Sequence, residues 1–252
     1  MIKFFRNIRK KLLNEGKTSR YFKYAIGEII LVVIGILIAL QINNWNEKRK
    51  SNKMAYEVYT NLLTSLEQDS IEVERTVSLL TKSLETQKKL ILNQSNQFTK
   101  QLNQNDLDKM VQEVFSGVMS FFPKTGVYEL ITSNNSMDLL QSENIKSLLI
   151  NLYDFQYKRY ENVDAIVDYK YHYHLGSLIR KKLGFIVEYN SESKLNVIKG
   201  VDPVQFNAHY DELVSECQDV YGVLSTSNNY LIEIKKSINE LQLLIRKELK
   251  DN

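Results

Sequence analysis

Residues 24–46 read YAIGEIILVVIGILIALQINNWN, and this stretch decides the fold. Between residues 25 and 42, only Glu28 and Gln41 are polar. As an α-helix this run would rise about 27 Å, which is just enough to cross the hydrocarbon core of a bilayer. The sequence therefore predicts a transmembrane helix over 25–45.

Two other interpretations of the apolar stretch are weaker. A buried core helix is rarely apolar on every side, and here Tyr24 and Trp45 flank the run as aromatic residues do at membrane interfaces. A cleaved signal peptide needs a small-x-small cleavage site, which residues 40–45, LQINNW, do not provide. We therefore interpret the segment as an uncleaved signal anchor.

The two sides of the predicted span differ in charge. Residues 1–24 hold eight basic residues and one acid, Glu15, so they carry +7 in a chain of net charge +3. Four basic residues follow the span, at positions 48, 49, 50 and 53. Because the side richer in Lys and Arg stays in the cytoplasm, we expect a cytoplasmic N-terminus. Residues 46–252 then form a periplasmic domain beyond a bacterial inner membrane.

Residues 1–24 also have the pattern of a basic amphipathic arm, with apolar residues recurring at helical spacing at Ile2, Phe5, Ile8 and Leu12. Such an arm binds the anionic surface of a membrane, so membrane lipids are an expected partner. Nucleic-acid binding is the alternative, but we expect none. The arm adjoins the span, and the rest of the chain has a net charge of −4.

The span itself carries two further features. Gly27, Gly35 and Ala39 are spaced by multiples of four and share one helix face. Small residues so placed let helices approach closely, so this face is a candidate for membrane or oligomer contacts. Glu28 is the one charge in the span and hence a functional candidate. We favour the simpler interpretation that it lies about one turn from the cytoplasmic end and reaches the lipid headgroups.

The block from Tyr24 to Asn46, together with the start MIKFFRNIRKKLL, resembles the signature of a family of uncharacterised single-pass membrane proteins of bacteroidete bacteria. The resemblance covers about the first fifty residues closely and the rest only in helical character. It implies a bacterial inner-membrane protein. It brings no activity and no catalytic residues, because the family is a domain of unknown function.

The remainder of the chain is poor in helix breakers, with Pro123 and Pro203 as its two prolines. Three apolar stripes at helical spacing predict three long helices. The first consists of Tyr56, Tyr59, Leu63, Leu66, Ser70, Val73, Val77, Leu80, Leu84, Gln87 and Ile91. The second consists of Ile145, Leu149, Leu152, Gln156, Tyr160, Val163, Ile166 or Val167, and Tyr173. The third consists of Leu213, Cys217, Val220, Leu224, Ser227, Leu231, Ile234, Ile238, Leu241 and Ile245.

These stripes predict an all-α protein in which one N-terminal transmembrane helix continues into an elongated antiparallel helical bundle. Smaller elements are expected between them: short helices at 106–116 and 126–133, and a hairpin pairing 185–189 with 195–199. The predicted helix caps are Thr125, Ser142, and Asp202 followed by Pro203.

Candidate binding residues are few. The second long helix is crowded with tyrosines, and Tyr160, Tyr169 and Tyr173 are candidates to line an apolar ligand pocket between helices. The alternative is that these rings fill the core, with their hydroxyls at its wet edge.

Other chemistry is not expected. Asp168 and His172 share a helix face, but His174 does not join them, and a metal site would need another ligand such as His209. Cys217, the single cysteine, lies on an apolar stripe and should be an inert buried thiol. Helical acids such as Asp69 are interpreted as solvated. We therefore expect no catalytic residues, no metal and no cofactor.

Three functional hypotheses remain. The first is a non-enzymatic interaction or scaffold protein of the cell envelope, which binds itself or an envelope protein. The second is a periplasmic small-ligand sensory module that acts through a membrane partner, because only about 24 residues lie on the cytoplasmic side. The third, an enzyme, is disfavoured because the chain has no G-x-S-x-G, H-E-x-x-H or Gly-rich phosphate loop.

Overall fold

A computed structural model describes residues 6, 10, 18–93, 99–189 and 195–251 of the chain. Of the predicted amphipathic arm, the structure describes Arg6, Lys10 and residues 18–24, the last as the start of a helix, and the apolar residues Ile2, Phe5, Ile8 and Leu12 lie outside the described residues. The chain divides into two compact units, Met1–Tyr56 and Glu57–Asn252. One helix, α1 (Thr18–Leu92), begins in the first unit and ends in the second.

The first unit contains the apolar stretch. Its large apolar side chains from Ile26 to Ile42 are exposed, and α1 is long and apolar enough in this part to cross a membrane. At the far end, the guanidinium of Arg49 lies 5.6 Å from the ring centroid of Trp45. Exposed apolar side chains on every face are what a helix surrounded by lipid would present.

The regular structure among the described residues of the second unit is helical, apart from one hairpin. Its helices after α1 are α2 (Gln104–Phe115), α3 (Gly126–Ser133), α4 (Glu143–Ile150), α5 (Tyr157–Lys170), α6 (Gly176–Lys181), α7 (Pro203–Ala208) and α8 (Tyr210–Asp251). Short 3₁₀ turns lie at Thr99–Gln101, Ser116–Val118 and Ser136–Leu139. The strands β1 (Ile186–Tyr189) and β2 (Leu195–Lys199) pair antiparallel, as the sequence predicted.

The helices α4, α5 and α6 belong to one helical run, residues 143–181, which we call the middle helix. Two π-helical segments interrupt it, Asn151–Gln156 and Tyr171–Leu175. A π-helix closes each turn with an i to i+5 hydrogen bond and so inserts an extra residue into the helical repeat. Each segment therefore changes which side chains face the core.

The last helix, α8, runs antiparallel to α1. Lys235 pairs with Glu74 at 2.8 Å, and Arg246 pairs with Glu67 at 2.7 Å, so residue numbers rise on one helix as they fall on the other. Near the Arg246 pair, the amide of Gln242 donates to the carbonyl of Leu66 at 2.9 Å.

The middle helix runs parallel to α1. The hydroxyl of Tyr157 donates to Asp69, and the hydroxyl of Tyr171 lies 3.2 Å from Ser83 Oγ, so residue numbers rise together on both helices. Two consecutive long helices can be parallel here because about fifty residues, including α2 and α3, connect them. The bundle thus consists of two parallel helices and an antiparallel α8.

The third predicted stripe is confirmed in full, since every one of its ten side chains is buried. The first stripe is confirmed at Tyr59, Leu66, Val73, Leu80 and Gln87. At its other positions Leu63, Val77, Leu84 and Ile91 are partly buried and pack against the core, and Tyr56 is exposed. The more deeply buried residues lie one position earlier, at Leu62, Asp69, Thr76, Ser83 and Leu90. A 3.6-residue repeat allows either choice, and tyrosine hydroxyls on the middle helix provide partners for Asp69 and Ser83.

Two of the three predicted helix caps are confirmed. Asp202 accepts hydrogen bonds from the backbone N–H groups of Val204 and Gln205, and Ser142 accepts one from Ile145. The prediction for Thr125 is wrong, because its side chain makes no capping hydrogen bond. The all-α class and the helical bundle are confirmed.

Candidate functional site

A cavity of about 630 Å³ opens on the middle helix, within the second unit. Its walls come from three elements: the segment after α2, helix α3, and the middle helix around its first π-helical segment. The lining residues are Phe121, Phe122, Pro123, Thr125, Tyr128, Glu129, Thr132, Tyr153, Asp154, Tyr157, Lys158, Tyr160 and Glu161. This volume is in the range of small-molecule binding sites.

The middle helix supplies six of these residues within and just after its first π-helical segment. In an α-helix, adjacent residues point about 100° apart, so a narrow buried stripe rarely includes two neighbours. Here the adjacent residues Leu152 and Tyr153 are both buried within Asn151–Gln156. Tyr153, Tyr157 and Tyr160 follow the i, i+4, i+7 spacing of one helix face, and π-helical segments of this kind are frequent at functional sites.

The aromatic rings of the cavity form a contiguous set. Tyr128 stacks on Tyr153 with ring centroids 4.3 Å apart and an angle of 6° between the planes. Tyr153 meets Tyr157 edge to face at 5.0 Å, and Phe121 packs 5.9 Å from Tyr157 and 6.2 Å from Tyr160. Such offset and edge-to-face contacts hold the rings in defined orientations, so the floor of the cavity is preorganised.

Three of the tyrosine hydroxyls donate to carboxylates. Tyr128 donates to Asp154 at 2.7 Å and Tyr160 donates to Asp164 at 2.9 Å. The Tyr160 hydroxyl also accepts a hydrogen bond from the backbone N–H of Phe121. The bond from Phe121 fixes the segment after α2 against the middle helix, and the bond from Tyr128 does the same for α3.

The third hydroxyl, that of Tyr157, donates to Asp69 of α1 at 3.2 Å. Both oxygens of the same carboxylate accept a bifurcated hydrogen bond from the backbone N–H of Lys124, with N···O distances of 3.0 and 3.2 Å. Asp69 therefore joins α1, the middle helix and the loop that leads into α3. The sequence-based interpretation of Asp69 as a solvated acid is wrong, because the structure buries it completely.

Burial and hydrogen bonding shift these carboxyl groups in different directions. Burial raises the pKa of Asp69, although its hydrogen bonds from Lys124 and Tyr157 partly oppose the change. Burial also raises the pKa of Asp164 to about 6. At the cavity mouth, the hydrogen bond from Tyr128 lowers the pKa of Asp154. Asp154 is therefore ionised at neutral pH.

The fourth tyrosine hydroxyl, that of Tyr153, is buried and approaches Ser65 of α1 without forming a hydrogen bond of ordinary geometry. The Ser65 hydroxyl donates instead to the carbonyl of Lys124, at 3.1 Å. Burial raises the pKa of Tyr153, so the phenol stays neutral.

The structure does not assemble the tyrosine pocket that the sequence predicted. Tyr160 is 2% exposed and lines the cavity, whereas Tyr169 and Tyr173 are 56% and 71% exposed. Nine residues of α-helix rotate a side chain by about 180°, so Tyr169 faces away from Tyr160. The rings of Tyr169 and Tyr173 instead contact each other at 5.1 Å on the outer face.

The wholly buried tyrosine of the second π-helical segment is Tyr171, and the sequence-based stripe missed it in favour of Tyr173. The Tyr171 hydroxyl donates to the carbonyl of Val114 and accepts a hydrogen bond from the Gln87 amide. Tyr171 faces the same side of the middle helix as Tyr160, because eleven residues complete about three helical turns.

The other candidate residues are dispersed. His174 packs against the ring of Tyr169, and His209 pairs with Glu212 at 3.1 Å. No group of three or more potential metal ligands occurs among the described residues. Cys217 is buried as predicted. In the span, a Cβ added at Gly27 or Gly35 would meet nothing within 4 Å, and Ala39 is exposed.

Sequence reasoning missed Asp69, Phe121 and Tyr128 as parts of the site. The signal for the middle-helix part was present, because Tyr153, Tyr157 and Tyr160 follow the i, i+4, i+7 spacing of one helix face. The residues from α1 and from the segment after α2 are distant in sequence, so no local pattern connects them to these tyrosines.

The fold and the cavity define a class of protein: a helical domain that follows a helix of membrane-spanning length and contains an aromatic cavity. A family model described as a family of unknown function (DUF6090) matches residues 28–205, and the chain belongs to this family. The matched region includes most of the apolar stretch and all the residues that line the cavity. No curated protein and no solved structure matches the chain.

Proposed function

We propose that the protein is a membrane-anchored interaction protein of the bacterial cell envelope, with no catalysis of its own. The observation that carries the proposal is that one helix, α1, contains both the apolar stretch and a core helix of the folded unit. An anchor that continues directly into a domain keeps that domain at the membrane surface, where envelope partners are concentrated.

The proposed location is the inner membrane, with a single pass, a cytoplasmic N-terminus and a periplasmic main domain. The support is the excess of Lys and Arg before the span and the resemblance of residues 24–46 to a bacteroidete membrane-protein signature. A C-terminal alkaline phosphatase fusion tests the orientation, because this enzyme is active only outside the cytoplasm. High phosphatase activity is expected. An inactive phosphatase together with a fluorescent C-terminal green fluorescent protein fusion would reverse the orientation.

The proposed partners are membrane lipids and either a second copy of the chain or an envelope protein. Self-association is supported by the small residues Gly27, Gly35 and Ala39, which leave one face of the span open to close approach. In-cell crosslinking of the tagged full-length protein, followed by mass spectrometry, tests this role. A dominant self-crosslink or a recurrent envelope partner is expected. Recovery of monomer alone would overturn the scaffold role.

A second candidate function is favoured by the aromatic cavity, which the heptad stripes alone did not require. In this candidate, the domain binds a small ligand and transmits the binding event through a membrane partner. A thermal-shift screen of the full-length protein in detergent with a broad set of small metabolites tests it, because a ligand that binds only the folded state raises Tm. A screen in which no compound raises Tm would overturn this candidate and leave the scaffold role intact.

A further inference from the structure

The cavity presents electron-rich aromatic walls. The hydroxyls of Tyr128, Tyr157 and Tyr160 each donate to a different carboxylate, so each phenol oxygen shares its proton with an anionic or buried acceptor. This increases the electron density of the ring, whose face already carries the negative part of the aromatic quadrupole. Tyr128, Tyr153, Tyr157 and Tyr160 are each at most 6% exposed, and the rings of Tyr128 and Tyr153 cover each other. The aromatic ring most open to a ligand at the mouth is that of Phe122, which is 70% exposed.

The mouth of the cavity is acidic. Glu129, Asp154 and Glu161 are exposed at the rim, and Lys158 is the single basic residue among the lining side chains. Lys158 pairs with Asp154 at 3.3 Å. Within the part of the chain that the structure describes, the carboxylates of Glu129 and Glu161 have no ion pair. The rim therefore carries a net negative charge above an aromatic floor.

We propose that this cavity binds an organic cation, an ammonium group carried on an apolar body. The inference rests on the ligand-binding candidate described above and names its ligand class. Ammonium groups bind over the faces of aromatic rings such as the exposed Phe122 at the mouth, and the carboxylates of Glu129 and Glu161 attract a cation to the opening. An anion of the same size meets repulsion at the rim, and a neutral molecule gains nothing from it.

The assignment is tested with three probes that share one body and differ in charge: 2-phenylethylammonium, 2-phenylethanol and phenylacetate. Isothermal titration calorimetry of the full-length protein in a non-ionic detergent, with empty micelles as the blank, measures each affinity. The cation is expected to bind at least tenfold more tightly than the alcohol. The anion is expected to bind more weakly than either. Added salt should weaken binding of the cation far more than that of the alcohol.

Two outcomes overturn the cation assignment. If the alcohol binds as tightly as the cation, the cavity is an apolar site without charge selection, and the small-ligand candidate survives. If none of the three probes binds, the assignment fails, and the metabolite screen decides the small-ligand candidate separately.

Matched variants test whether the carboxylates at the rim cause the preference for a cation. The double variant Glu129→Gln, Glu161→Gln keeps side-chain size and removes both charges, and it is expected to weaken cation binding several-fold while leaving alcohol binding unchanged. Glu85→Gln, an exposed acid on α1 outside the cavity, is the control and should change neither. Unchanged cation affinity in a double variant that melts at the wild-type temperature would overturn the proposal.

Discussion

The hydroxyl of Tyr157 donates a 3.2 Å hydrogen bond to the buried carboxylate of Asp69, which joins the middle helix to α1. The carboxylate also accepts a bifurcated hydrogen bond from the backbone N–H of Lys124. A buried polar group is tolerated when its partners satisfy it, and losing one member leaves the others unsatisfied. Asp69 is therefore a structural centre for the floor of the cavity.

Asp69→Ala is expected to destabilise the folded domain by about 2–4 kcal/mol, because it leaves the Tyr157 hydroxyl and the Lys124 N–H buried without an acceptor. Urea unfolding of the full-length protein in detergent, followed by near-UV circular dichroism, measures the change. Glu85→Ala on the exposed side of α1 is the control and should stay within about 0.5 kcal/mol of wild type. A similar small effect for both variants would contradict the role of Asp69.

Asp164 should make stability depend on pH. Its pKa is raised to about 6, mainly by burial and also by the charge of Asp168, with opposing hydrogen bonds from Ser120 and Tyr160. The folded state therefore binds more protons than the unfolded state between the ordinary aspartate pKa and about 6. The contribution of Asp164 stabilises the folded state as pH falls through 6, and it is lost as pH rises.

The variant Asp164→Asn isolates this effect. The difference in unfolding free energy between wild type and variant should shift in favour of wild type as pH falls from 7.5 to 4.5. The upper limit of the shift is about 3 kcal/mol, since each pKa unit corresponds to about 1.4 kcal/mol. Urea unfolding at a series of pH values measures it. A difference that stays constant with pH would show that Asp164 titrates at the same pH in both states.

Gly117 is expected to tolerate no side chain, because it lies against the buried hydroxyl of Tyr171. A Cβ at this position would overlap that hydroxyl oxygen and lie 2.7 Å from Ser83 Oγ. Gly117→Ala should therefore cost about 1–3 kcal/mol through overpacking, measured by urea unfolding. Gly126→Ala is the matched control, because a Cβ there meets nothing within 4 Å.

The same overlap predicts a coupling between the two positions. Tyr171→Phe removes the hydroxyl that an alanine at 117 would strike, so the double variant should lose less stability than the sum of the two single variants. Simple additivity would mean that the alanine is accommodated by a backbone shift instead.

The single thiol should be unreactive in the native state. Burial raises the pKa of Cys217 to about 12, and the charge of Glu216 adds to the effect, so almost no thiolate exists at pH 8. Ellman's reagent should leave native protein unlabelled and react promptly after unfolding in urea. In a Cys217→Ser background, Asn162→Cys supplies an exposed control that should react at once. Fast labelling of native wild type would place Cys217 at the surface.

The small residues of the span should govern self-association. Gly35→Ile and Ala39→Ile each enlarge the face on which close helix contact is proposed, so the crosslinked dimer fraction should fall at least several-fold. Ile36→Leu, on another face of the same helix, is the control. An unchanged dimer fraction in the Gly35 and Ala39 variants would remove this face from the interface while leaving the anchor itself in place.

The local elements were largely predictable from the sequence, and the reason is visible in α8. All ten positions of its stripe are buried, because one apolar face repeats without ambiguity between Leu213 and Ile245. The hairpin and the cap at Asp202 were predictable for a similar reason, since turn and capping chemistry act within a few residues.

The candidate site was predictable only in fragments. The tyrosines of the middle helix indicated an aromatic face. The sequence-based selection of Tyr169 and Tyr173 was wrong, because both lie on the outer face. The π-helical segment Asn151–Gln156 adds a residue to the turn, and no local signal marked its position. That segment precedes Tyr160 and did not cause the wrong selection, because nine residues of regular α-helix already place Tyr169 opposite Tyr160.

By itself, the sequence determined an apolar helix of membrane length, the charge asymmetry around it, and the helical class of the remainder, because composition and periodicity act locally. Only the tertiary structure decided that Asp69 and Ser83 are buried while Ser70 and Leu84 are not. The helical repeat allows either of these two sets of α1 residues to face the core. Which set is buried depends on the hydrogen-bonding partners that the middle helix brings to α1. Tertiary packing likewise brought the segment after α2 to the tyrosines and so created the cavity.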